Sequence, residues 1–171
     1  HKDVAPLAAE AVQAVKGAQQ GRPDPLAASL ERHLGEGLEV ADRSERDAAR
    51  IGKKALKASE VQETLAGRRA EAAAKRQELL ILKEEALARL DRETETLAAQ
   101  GQTAEAAQAR GFKQKLVTRF NGIAQDLDDL SKADKSNLDA RAKRVANRIK
   151  GWLAARPAEP LPQPNWQRVE P

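Results

Sequence analysis

Cysteine, methionine and tyrosine are absent from this 171-residue chain, which has only two phenylalanines and two tryptophans. Without cysteine there is no disulfide and no thiolate metal site. With aromatic and β-branched residues scarce, an all-β domain does not fit. No apolar run approaches the ~20 residues needed to cross a bilayer, and no signal-peptide pattern is present. A strong charge of one sign is also missing. Thirty Lys and Arg stand against 26 Asp and Glu, giving a net charge of +4 with both signs mixed throughout. The chain starts at His1 without an initiator Met and ends in an extended stretch, which reads as a segment cut from something longer.

What is present is alanine, glutamate, lysine, arginine and glutamine, with larger apolar residues in single file. That composition predicts long helices joined along narrow seams. A short helix is expected over residues 4–20, with Pro6 in its first turn and Gly21 as its stop. Asp24 as N-cap and Pro25 at the first helical position start a second short helix. Leu26, Leu30 and Leu34 line that helix, and Gly35 and Gly37 break or bend it. Ser44 to Asp47 has capping-box spacing and opens a very long helix reaching about Gln100. Gly101 then ends one helix and Thr103 caps the next, which runs to about Arg156. Five prolines from Pro157 onward force an extended tail.

The predicted fold is therefore all-α: a long antiparallel helical hairpin, or coiled coil, over residues 44–156. Two short helices within 1–43 pack at its open end, and a Pro-rich tail or linker covers 157–171. The register supports the hairpin. Leu90 faces Phe112, Ala86 faces Leu116, Leu82 faces Phe120, Leu79 faces Ile123 and Ala72 faces Leu130. One residue further out of step, Leu65 faces Leu138, Val61 faces Ala142, Ala58 faces Val145 and Ile51 faces Trp152. Two apolar patterns thus mate in nearly one register.

Between Ala66 and Glu78 there is no large apolar residue. Lys75 falls opposite Leu127, and Arg68 falls opposite Asp134. A polar register layer is expected there, with Asp134 pairing Arg68 or Arg69. The alternative is a solvated kink from which Lys75 and Arg68 reach outward.

No catalytic set emerges. Glu84-Glu85, Asp126 with Asp128-Asp129, and Asp91 with Glu93 and Glu95 fall on exposed helix faces, where paired acids do no acid–base work. No serine has a nucleophile-elbow context. His1 and His33 could hold copper only if they met, and no carboxylate cluster accompanies them. No metal, cofactor or catalytic residue is therefore expected, and the chain reads as a non-enzyme. Arg46, Arg50, Lys53, Lys54 and Lys57 on one limb and Arg141, Arg144 and Arg148 on the other form one expected basic zone. It could meet nucleic acid or another acidic surface. No exposed aromatic or recognition motif supports nucleic acid. Trp166, in the Pro-rich tail, is a candidate docking aromatic.

The turn Leu97-Ala98-Ala99-Gln100-Gly101, the amphipathic return helix and the tail over 160–166 resemble one known context. It is the helical region preceding transglutaminase-like or repeat-rich parts of very large secreted bacterial proteins, including Rhs-type ones. The resemblance covers roughly residues 85–168. The catalytic Cys-His-Asp set of a transglutaminase is missing, so it implies no activity. It implies a non-catalytic, exported or cell-surface helical module within a larger bacterial polypeptide. The expected function is a spacer, scaffold or docking arm, whose partner is another protein or the rest of its own parent chain. The alternative is a basic module binding nucleic acid or another acidic surface.

Overall fold

The computed structural model describes residues 24–155, which form four α-helices and no strand. They are α1 (Pro25–Gly52), α2 (Ala58–Ala99), α3 (Thr103–Leu130) and α4 (Leu138–Ala155). The described residues are all-helical, as the composition predicts. The helix expected over 4–20, His1, and the tail with Trp166 lie outside the described residues. None of the four helices is long and apolar enough to cross a membrane.

Helix α1 starts where the sequence signals it. The Asp24 carboxylate accepts from the Leu26 amide at 3.1 Å, and Pro25 follows at a position that needs no donor. The helix does not stop at Gly35 or Gly37 but runs 28 residues, so the boundary expected at 43/44 falls inside it. Gly37 has a packing role. A Cβ there would come within 2.8 Å of the Ile149 Cδ1 atom, so its bareness lets α4 approach closely. Ser44 is no cap either. It is buried mid-helix, and its hydroxyl donates to the Val40 carbonyl at 2.8 Å.

The expected long helix is instead broken after Gly52. The Ala55 amide donates to the Arg50 carbonyl and the Lys54 amide to the Ile51 carbonyl, with Lys54 at φ 54°. This is a Schellman ending whose left-handed position, normally glycine, holds a lysine. The same motif ends α2. The Gln102 amide donates to Leu97, the Gly101 amide to Ala98, and Gly101 has φ 77°. Gln102 rather than Thr103 stands at the N-cap of α3, its carbonyl accepting from Ala106.

The return limb is also broken, at 131–137. The Asp134 carboxylate accepts from the Ser136 amide and hydroxyl and from the Asn137 amide. Asn137 Oδ1 accepts from the Asp134 amide at 2.8 Å. This reciprocal pair caps α4, and α4 then doubles back along α3. Phe120 meets Trp152 edge-on at 5.2 Å, Arg148 Nε lies 2.9 Å from Asp126, and Arg141 Nη1 donates to the Asp129 carbonyl at 2.7 Å. Trp152 therefore packs on Phe120, where an unbroken return helix would set it opposite Ile51.

By packing, the described residues divide into two compact units: 24–31 with 81–119 and 153–155, and 32–80 with 120–152. The first buries Leu30, Leu82, Ala86, Leu90, Leu97, Phe112 and Leu116. The second buries Leu34, Leu65, Leu79, Phe120, Ile123, Leu127, Leu138, Val145, Ile149 and Trp152. Each fully buried leucine contributes about 2 kcal/mol before entropy is counted. Most of these are the residues the sequence places on its seams.

Candidate functional site

The polar stretch of α2 between Ala66 and Glu78 faces α1. Arg68 lies 3.2 Å from Asp47 and 3.0 Å from Glu71, and Arg43 Nε lies 3.2 Å from Glu71. Residue numbers rise on one helix as they fall on the other, so this is an antiparallel ladder of ion pairs. Arg69 Nε donates to the Ala133 carbonyl. The expected register layer is thus corrected. Arg68 and Arg69 take these partners, while Asp134 is exposed and serves as the cap of α4. Hydrogen bonds from Ser136, then from Asn137, hold the Asp134 carboxyl below its ordinary value.

Lys75 neither reaches into solvent nor faces Leu127 as a bare misfit. Its side chain is only 7% exposed. Its ammonium donates to His33 Nδ1 at 3.1 Å and to the carboxylates of Glu36 and Glu78. His33 and Glu36 share one face of α1 at i, i+3, and Lys75 and Glu78 do the same on α2. The ring nitrogen and the two carboxylates lie within 4.8 Å of one another. Those are donor types a transition metal accepts. The Lys75 ammonium already sits among them and supplies the cation that these groups face. Burial and then the Lys75 charge push the His33 pKa down, so its Nδ1 stays a free acceptor for the ammonium. The Lys75 hydrogen bond lowers Glu36.

A second cluster lies in the other unit. Arg89 is buried and grips Asp24 with two bonds, at 2.6 Å and 3.0 Å. Its Nε donates to Glu93 Oε1 at 3.2 Å. Glu93 Oε2 is buried without a hydrogen-bond partner. One guanidinium thus serves two buried acids, and Asp24 holds the better geometry. Burial pushes the Glu93 carboxyl up to about 8, against the opposing pull of Arg89. At neutral pH Glu93 is mostly a neutral acid, because an unpartnered anion costs more there than an unpartnered hydroxyl.

Several members of the expected basic zone are answered by acids or by backbone. Arg50 lies 3.4 Å from Asp47, Arg144 lies 3.8 Å from Asp129, and Arg148 is held by Asp126. Arg141 bonds a backbone carbonyl. Arg46, Lys53, Lys54 and Lys57 have no ion pair among the described residues, and the three lysines are exposed. Sequence reading missed His33, Glu36, Lys75 and Glu78 as a set, and Asp24, Arg89 and Glu93 as another. The signal available was the i, i+3 and i, i+4 spacing within each helix. What was lacking was knowledge that α1 pairs with α2. Comparison with protein families, curated proteins and solved structures gives no match.

Proposed function

We propose that this chain is a non-catalytic helical interaction or scaffold module of a larger protein, a docking arm whose α2 and α3 form an antiparallel hairpin around Gly101. The observation that carries this is the use made of buried charge. Lys75 and Arg89, both nearly buried, take partners that join α1 to α2. Such groups fix which helix meets which, and at what register.

The hairpin is supported by contacts at matched positions. Lys113 Nζ lies 2.9 Å from Asp91, and Arg76 Nε lies 4.0 Å from Asp128. Both pairs fall within two residues of the register read from the apolar pattern. The parent protein is an exported bacterial polypeptide on the resemblance of residues 85–168. A second reading, binding of nucleic acid or another acidic surface, is favoured by one observation, the unpaired exposed lysines 53, 54 and 57.

Two experiments test this. Ala86→Cys with Leu116→Cys in the cysteine-free chain should form a disulfide within one molecule. Crosslinked dimers alone would show that the seam is intermolecular. A titration with duplex DNA at two salt concentrations should show no tight binding. Micromolar or tighter affinity that falls steeply with salt would favour the second reading.

A further inference from the structure

The break between α1 and α2 leaves an open groove of about 680 Å³ in the second unit. Ile51, Leu56 and Val61 form its apolar floor, with Lys54, Lys135 and Gln62 around them. These three aliphatic residues are only half-buried, whereas Leu65, one turn further along α2, is 2% exposed. The volume suits a few side chains of a ligand.

The position of Lys54 adds a second observation. It occupies the left-handed site of a Schellman ending at φ 54°, the role that Gly101 fills at the end of α2. A side chain there strains the backbone where glycine would not. The strained residue lines the groove, and strain of this kind accompanies functional positions. A third observation is electrostatic. Lys54 and Lys135 are exposed and have no acidic partner among the described residues.

We propose that the Ile51–Leu56–Val61 groove docks an acidic amphipathic peptide segment of a partner protein. Its apolar side chains lie on the floor, and its carboxylates meet Lys54 and Lys135. This rests on the interaction-module function and names its partner by chemistry. An apolar floor offers nothing to a phosphate backbone, and the groove lacks an aromatic on which a base could stack. A peptide with leucines at i, i+3, i+4 and i+7 and glutamates between them satisfies both halves of the site.

The test uses a fluorescein-labelled twelve-residue peptide of that pattern, titrated by anisotropy against the full chain. Two controls are run: the same peptide with serine for each leucine, and duplex DNA. The leucine peptide should bind saturably and the serine peptide at least tenfold more weakly. Lys54→Gly should raise the melting temperature by relieving the strain, while weakening peptide binding severalfold. Lys54→Glu with Lys135→Glu should weaken it at least tenfold. Absence of saturable binding would overturn the proposal, as would equal binding of both peptides or tighter binding of DNA. So would a Lys54→Gly variant that binds unchanged. If the peptide fails while the Ala86–Leu116 disulfide forms within one chain, the groove proposal falls and the module reading stands.

Discussion

Each unit contains one buried basic side chain serving two carboxylates, and the two clusters solve that problem differently. In the cluster around Lys75 the acids Glu36 and Glu78 are 42% and 48% exposed, so water shares their charge. A neutral histidine supplies the remaining acceptor. In the cluster around Arg89 the acids Asp24 and Glu93 are 1% and 6% exposed. With no water to share the second negative charge, a proton supplies the compensation instead. Burial, more than the count of charges, thus decides which member titrates. It also sets opposite pH responses. The depressed His33 contributes stability above the ordinary histidine range and loses it as pH falls below. The raised Glu93 contributes stability that is complete near its unfolded value of 4.5 and is lost as pH climbs toward about 8.

The largest effect is expected at Arg89. Arg89→Ala leaves two acids without their cation in a dry site, one of them the N-cap of α1. It should cost about 3–5 kcal/mol in denaturant unfolding. A loss under ~1 kcal/mol would mean that the site admits water and resembles the other cluster. Lys75→Met should cost less, about 1–2 kcal/mol, because Glu36 and Glu78 can hydrate. In the same variant the His33 pKa should move up toward its ordinary value, since one cause of its depression is gone. Imidazole NMR would follow this, with only two histidines to assign.

Much of the core was legible in the sequence. Leu79, Leu82, Ala86, Leu90, Phe112, Leu116, Phe120 and Ile123 all stand on the predicted seams and are all buried. The Asp24-Pro25 start of α1 and the Gly101 turn were legible too, because capping chemistry is local. The two breaks were not. At Lys54 the left-handed residue is a lysine, so the usual glycine signal sits two residues early, at Gly52. At Asp134 the apolar spacing continues from Leu130 to Leu138 and hides a reciprocal cap made by Asn137. Both misses have one consequence. With 44–100 taken as a single helix, α1 could not be the partner of α2, and the polar face of α2 became a misfit instead of one side of an ion-pair ladder. Composition alone could not have located the ion clusters, because their members lie on helices whose pairing depends on those breaks.

The most direct test of the paired-cluster account is the stability of the wild-type chain and Glu93→Gln, measured by denaturant unfolding at pH 5 and pH 8.5. The glutamine keeps the shape of the neutral acid and cannot ionise. Glu93→Gln should therefore gain on the wild type as pH rises, at no more than about 1.4 kcal/mol per pH unit. A stability difference unchanged between the two pH values would contradict the account. It would mean that Glu93 titrates alike in the folded and unfolded chain, and that the Arg89 cluster is as wet as the Lys75 cluster.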